Sequence, residues 1–189
     1  YRDFYLTIGV KTKNKDVPVP DGTISASDIT YGQALNDSKI AGKMKAGGKA
    51  IDGTFTWTNG TFKPAAGDYP ASWTFTPAKG YEEYATATGT ATVTVNPKAV
   101  TVRITPNGGT YGETITPATV TANDVVGEDA PKITLTYTGT ANDGTEYNST
   151  TPPTKAGTYT IKASTTNANY TLDANTATAE FSVAKRRAT

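Results

Sequence analysis

The chain has 189 residues, 18 Lys and Arg against 17 Asp and Glu for a net charge of +1, and neither Cys nor His. Those absences exclude disulfide frameworks, thiol nucleophiles, His-based triads and the usual zinc or copper ligand sets; the near-zero charge, with Lys scattered, supplies no field for steering onto nucleic acid. No apolar run approaches the roughly 20 residues a membrane span needs, so no membrane insertion is expected, and 18 Gly, 11 Tyr, one Met and abundant Thr favour strands and turns over helices.

Phe4, Leu6, Ile8 and Val10 alternate with Tyr5, Thr7 and Gly9, the period of two of a half-buried strand. Residues 11–22, with three Lys, Pro18, Pro20 and Asp21-Gly22, read as a linker or exposed turn. Residues 1–22 are thus either the end of an upstream module or an extra strand added to the next one.

A first module spans 23–97. Ile24, Ala26 and Ile29 lead into Tyr31-Gly32, followed by Leu35 and Ile40 and a Gly- and Lys-rich loop between Gly42 and Gly53. Phe55 and Trp57 then alternate with Thr, and Asn59-Gly60 predicts a tight hairpin turn with Thr61-Phe62 returning. Tyr69, Ala71, Trp73 and Phe75 share one strand face, Thr74 and Thr76 the other, and Pro77 stops the strand; 87–95 make the closing strand.

Asn96-Pro97-Lys98 is a short, stiff joint into a second module at 98–185. Val100, Val102 and Ile104 predict one alternating strand, followed by Val120 and Ala122, then Ile133, Leu135 and Tyr137, an insertion at 139–155, Tyr159, Ile161 and Ala163, and a closing strand over 176–183. Residues 186–189 stand where the joint stood after the first module, so a linker to a further repeat is expected.

The two modules are one pattern written twice: Tyr31-Gly32-Gln33 recurs as Tyr111-Gly112-Glu113, and Ala66-Gly67-Asp68-Tyr69 as Ala156-Gly157-Thr158-Tyr159. Six or seven short strands per unit with regular turn signals predict an all-β chain of two tandem immunoglobulin-like β-sandwich modules. The hallmark disulfide of that fold is missing, so the name describes architecture only. Two such modules in line would make a rod about 70–90 Å long, and a monomer is expected.

Trp57 and Trp73 are candidate sugar-stacking platforms, yet their alternation with Phe55 and Phe75 argues that they fill the core. Tyr31 and Tyr111, each before Gly, read as corner tyrosines with a buried ring and a hydroxyl that pins a loop. Tyr81, Tyr84, Tyr137 and Tyr147 are freer candidates for ligand contacts. Acids gather at Glu82-Glu83, Asp124, Glu128-Asp129 and Asp143 with Glu146. Acid–base catalysis needs a cleft and a fixed carboxylate separation, so no catalytic residue, cofactor or metal is assigned. The 142–146 segment suits either Ca²⁺ or a solvated turn, Lys98 with Asn96 or Asn175 is a conceivable side-chain cross-link, and sequons stand at Asn59, Asn148 and Asn169.

The run Ile29-Thr30-Tyr31-Gly32-Gln33, Gly53-Thr54-Phe55-Thr56-Trp57, Ala66-Gly67-Asp68-Tyr69, Phe75-Thr76-Pro77 and the closing strand resembles the MBG ("mostly β, Gly-rich") repeats of bacterial surface proteins. Residues 98–184 resemble a related MBG or YDG-type module through Tyr111-Gly112, Asn169-Tyr170 and their closing strand, with Tyr-Gly-Glu where a YDG module shows Tyr-Asp-Gly. The resemblance implies an extracellular location on the bacterial cell surface, as non-catalytic stalk or spacer repeats of an adhesin-like protein that project a head domain from the cell wall. The partners it implies are neighbouring repeats of the same chain. The alternative is a module binding a host glycan or matrix protein through Tyr81, Tyr84, Trp57, Trp73 or Tyr147.

Overall fold

Apolar residues alternating with Thr build strands because β-branched and aromatic side chains fit a pleated surface with one face buried. The computed structural model describes residues 14–187, and these are all-β: 18 strands and one three-residue 3-10 turn, Leu35–Asp37. The alternation over Phe4 to Val10 lies outside the described residues. No helix among the described residues is long and apolar enough to cross a membrane. The described backbone divides into two compact units, the first comprising residues 14–27 with Leu35–Thr61 and Pro70–Val93, the second Asp28–Ala34, Phe62–Tyr69 and residues 94–187. The duplication suggests a single cut at 97, whereas three segments of the first sequence repeat, Asp28–Ala34, Phe62–Tyr69 and 94–97, count with the second unit.

In the first unit Gly53–Trp57 runs antiparallel to the strand Gly67–Pro77, with Phe55 opposite Phe75 and Trp57 opposite Trp73. Ala71, Trp73 and Phe75 are buried while Ser72 and Thr76 are exposed, so the predicted two-faced strand is present and ends at Pro77. Phe55 packs edge-on against Trp73 at 5.2 Å and tilted against Phe75 at 5.0 Å. Burying each such side chain contributes about 1.5–3 kcal/mol.

Two turn readings change places. The stretch 42–53, read as a loop, contains a hairpin in which Met44–Ala46 pairs with Lys49–Ile51 across Gly47 and Gly48, whose φ values of +55° and +80° are what a two-residue hairpin turn demands. Met44, Ala46 and Ile51 turn inward as core, and Val19–Pro20, in the supposed linker, adds an edge strand to Met44–Ala46. Asn59-Gly60, by contrast, closes no such hairpin: neither residue has positive φ, and the partner of Gly53–Trp57 is Gly67–Pro77. Gly60 is instead where the chain passes Asn36, whose Oδ1 would lie 1.9 Å from any Cβ there, and whose backbone N–H donates to the Gly60 carbonyl at 2.8 Å.

The second unit contains a five-stranded sheet in the order Gly109–Thr110, Thr178–Ala184, Gly157–Thr165, Ile133–Ala141, Glu146–Ser149. The strand expected through Val100, Val102 and Ile104 is broken in two. Lys98–Val100 runs parallel to Tyr170–Leu172, whereas Val102–Thr105 runs antiparallel to Thr119–Ala122. One core cluster joins Val102, Ala163 and Ala177 to Ile104, Val120, Ile133 and Leu135; another joins Ile115, Tyr159 and Val183 to Tyr147 and Phe181. Most of the supposed insertion at 139–155 is a hairpin, with Thr140 opposite Glu146 and Gly144 at φ +85° in its turn.

Candidate interaction site

The aromatic ligand candidates are mostly structural. Trp57 and Trp73 are 7% and 2% exposed, so neither ring has a face for a sugar to stack on. The Trp57 indole N–H donates to the Ser38 carbonyl at 2.9 Å, and Trp73 lies so close over Gly89 that a Cβ there would meet its Cζ2 at 2.3 Å. Tyr137, read as free, is 1% exposed, and its hydroxyl accepts the Ala118 N–H at 2.9 Å. Tyr147 is half-buried, edge-on to Tyr159 at 5.8 Å, its hydroxyl donating to the Thr151 carbonyl at 2.9 Å. Tyr81 and Tyr84 form a half-buried pair 6.4 Å apart in the first unit, with Lys49 Nζ 5.2 Å from the Tyr81 ring centre.

Several of the acids also have internal partners, Glu82, Asp129, Asp143 and Glu146 among them. Asp143 accepts from Lys155 at 2.9 Å and from the Thr145 N–H at 3.0 Å; these bonds hold its carboxyl far below the usual range and push the Lys155 ammonium up. Glu146 accepts from Thr140 at 3.0 Å. The 142–146 segment is thus a hairpin turn whose acids face a lysine and a hydroxyl, and no group of three or more metal-ligating acids occurs among the described residues. Asn96 and Asn175 are exposed, unlike the buried setting a spontaneous side-chain cross-link needs.

The densest polar constellation centres on Asp129, in the loop 123–132 of the second unit. The loop is strained: Asp124 and Lys132 hold φ +63° and +50°, a conformation that costs a non-glycine residue about 1–3 kcal/mol and persists only where the surroundings impose it. Tyr170 imposes it from below, accepting the Val126 N–H at 2.9 Å and donating to the Asp129 carbonyl at 2.7 Å. Asn167 Nδ2 donates to the Asp129 carboxylate at 3.0 Å and to the Ala130 carbonyl at 2.9 Å, and Asn169 Nδ2 donates to the same carboxylate at 3.2 Å.

Into this socket comes Tyr31, whose hydroxyl donates to Asp129 Oδ2 at 2.8 Å and whose ring stands edge-on to Tyr170, 5.4 Å between centres. Its turn is fixed by the Thr30 N–H to Gln33 Oε1 bond at 2.7 Å and the Tyr31 N–H to Asn96 carbonyl bond at 2.9 Å. A second point of attachment is the Ala66 N–H, which donates to Asn169 Oδ1 at 2.9 Å. The bond to Asp129 pushes the Tyr31 hydroxyl up to about 12, while the Tyr31 and Asn169 donors hold the Asp129 carboxyl below its ordinary value. A carboxylate so supplied with donors is a poor proton-transfer group and a good receptor for a phenol. The corner reading therefore suits Tyr31 in part: the hydroxyl pins a loop, but the ring is only half-buried. It fails for Tyr111, which is 52% exposed.

The same loop borders a cavity of about 550 Å³ lined by Val120, Ala122, Val125, Asp129, Lys132 and Leu135 among others. Sequence reasoning saw Asp129 only as one of several acids and Asn169-Tyr170 only as part of a pattern. The signal that marks the socket is Asn167-x-Asn169-Tyr170, which brings two amides and a phenol together on one short turn.

Val126 seals the socket over Gly32. Gly32 and Gly112 both hold positive φ, +98° and +89°, so alanine costs backbone strain at either, but only at Gly32 would its Cβ also meet Val126 Cγ2, at 2.8 Å; at Gly112 the nearest atom is Arg186 Nη1 at 3.8 Å. Gly32→Ala is therefore expected to lower the melting temperature more than Gly112→Ala. Equal losses would show that Val126 does not cap the turn.

The chain matches no family model and no curated protein sequence.

Proposed function

We propose that the chain is a tandem pair of immunoglobulin-like β-sandwich modules, of MBG and YDG-type kind, serving as a non-catalytic spacer in an adhesin-like protein of the bacterial cell surface. The observation that carries this reading is a turn built twice in the same hydrogen bonds. Thr30 N–H to Gln33 Oε1 at 2.7 Å has its counterpart in Thr110 N–H to Glu113 Oε2 at 3.0 Å, and Tyr31 N–H to the Asn96 carbonyl at 2.9 Å in Tyr111 N–H to the Ala184 carbonyl at 2.8 Å. Each turn follows a two-residue strand parallel to its closing strand, Ile29 beside Val95 and Gly109 beside Val183. A repeat reproduced at this level, with Trp57, Trp73, Tyr137 and Tyr159 buried in its cores and Asp129, Asp143 and Glu146 on internal donors, suits a scaffold better than a site. The packing of Val102, Ile104, Val120 and Ala122 against Ile133, Leu135 and Ala163 supports the two-layer reading of the second module. With no Cys, such a spacer keeps its strength whatever the redox state outside the cell.

The second reading, a module that binds a host glycan or matrix protein, is favoured by one observation, the cavity of about 550 Å³ beside Asp129. An array of glycans and matrix proteins separates the two. The spacer reading expects no reproducible binding by the purified chain. Binding that disappears in Val125→Asp, at a cavity-lining residue 38% exposed, with the fold intact by circular dichroism, would replace it with the adhesive one.

A further inference from the structure

We infer that the turn carrying Tyr111 is a docking surface whose occupant is a second copy of the socket that this chain builds around Asp129. The inference rests on the repeat reading above and adds which residues couple one repeat to the next.

The engaged turn and the exposed one correspond residue by residue. Tyr31 and Tyr111 sit on the same backbone bonds, each followed by a glycine of positive φ, +98° and +89°. Tyr31 has its hydroxyl on Asp129 and its ring on Tyr170. Tyr111 is 52% exposed, and its ring makes no hydrogen bond or ring contact among the described residues. Ala66, which donates its N–H to Asn169, has its repeat equivalent in Ala156, and Ala156 lies beside Tyr111 along the two clefts of about 190 and 390 Å³ on this face. Gly32 is covered by Val126, whereas the space over Gly112 is open as far as Arg186 at 3.8 Å. Four contacts used at the first turn thus have four counterparts at the second that are vacant among the described residues.

The turn itself does not require a tyrosine. Its geometry is fixed by Glu113, by the Ala184 carbonyl and by Gly112. A large, half-apolar ring left in water without an internal task is the kind of residue that anchors an interface. Charge agrees with the occupant. Lys155, Lys185, Arg186 and Arg187 flank Tyr111, and although Asp143 pairs with Lys155, the cations are in excess. The socket loop opposes them with Glu128 and Asp129, so a second copy arrives with complementary sign. In the docked state the Tyr111 hydroxyl donates to the incoming copy's Asp129 carboxylate, its ring meets that copy's Tyr170, and the Ala156 N–H reaches its Asn169 amide oxygen.

The test lengthens the chain and removes nothing upstream of the joint. After Arg187, which occupies the place of Ala99 in the duplication, a second copy of residues 100–187 is appended, and tyrosine nitration by tetranitromethane is mapped by mass spectrometry. In the native chain Tyr111 is expected to label fast and Tyr31 slowly. In the extended chain the first Tyr111 is expected to slow to the rate of Tyr31 while the terminal copy's Tyr111 stays fast. Tyr111→Ala should leave the melting temperature of the native chain unchanged and lower that of the appended copy. A folded appended copy with the first Tyr111 still labelling fast overturns the docking surface, and so does an appended copy that does not fold, since the surface is then unable to support it. Either failure leaves the spacer reading standing, because that reading falls only to reproducible ligand capture on the array.

Discussion

Trp73→Ala is expected to destabilise the first unit by about 3–5 kcal/mol, the range for truncating a large buried aromatic, against a total stability of roughly 5–15 kcal/mol for a domain. The ring is 2% exposed. It lies edge-on to Phe55 at 5.2 Å and faces Trp57 across the sheet register, and Gly89 is a glycine because the indole occupies the space of its Cβ. The void left by truncation is bounded by strand backbone, which cannot collapse to fill it. The conservative change to Phe separates volume from hydrogen bonding. Among the described residues the Trp73 indole N–H is buried without an acceptor, so Trp73→Phe loses ring area but also removes an unsatisfied donor, whereas Trp57→Phe strands the Ser38 carbonyl that now accepts at 2.9 Å. Urea titrations followed by circular dichroism are expected to rank the midpoints native, Trp73→Phe, Trp57→Phe, Trp73→Ala from highest to lowest. An unchanged midpoint for Trp73→Ala would take the ring out of the core. The practical consequence concerns binding assays: loss of a ligand in Trp73→Ala reports unfolding, and exposed positions such as Val125 are the informative ones.

How much of this was legible in the sequence depended on whether the governing interaction is local. The face shared by Ala71, Trp73 and Phe75 was readable because period-two burial is written into consecutive residues, and Pro77 marked its end for an equally local reason. Gly47-Gly48 and Asn59-Gly60 both permit positive φ, and only the strand pairing decides which one uses it. The glycine at position 60 answers to Asn36, more than twenty residues away, and no pattern within the turn records that. The Asp129 socket was hidden for the same reason on a larger scale. Its donors come from positions 31, 66, 167, 169 and 170, and none is unusual until the fold gathers them. Tyr111 shows the converse. Its sequence context matches that of Tyr31 closely enough to predict the same role, yet what buries Tyr31 is the loop that receives it.

The socket should also set how the second unit responds to pH. Tyr31 is neutral when protonated, and its hydroxyl is raised from 10.0 to about 12 by the bond to Asp129. Between those values the unfolded chain has released a proton that the folded chain retains, so the slope of stability with pH is negative there. The contribution of this bond is complete below 10.0 and lost as pH rises through about 12. Asp129 works in the opposite direction. Its carboxyl lies below 3.8 because Tyr31, Asn169 and Asn167 donate to it, so its contribution is complete above 3.8 and is lost as pH falls through the lowered value. Other groups act on both limbs. Burial raises the Tyr159 hydroxyl, and Lys155 lowers Asp143, so the signature of the socket is a difference between variants. Tyr31→Phe is expected to flatten the alkaline limb while retaining most of the acid one, since the two amides still hold the carboxylate. Asp129→Asn is expected to flatten both, because it removes the charge that raises Tyr31 as well as the group that protonates. Melting temperature against pH for the native chain and the two variants checks this, with tyrosinate absorbance on the same samples. Alkaline limbs that coincide in native and Tyr31→Phe chains would mean that the phenol is not held by the carboxylate, and with it would go the template from which the Tyr111 docking surface is drawn.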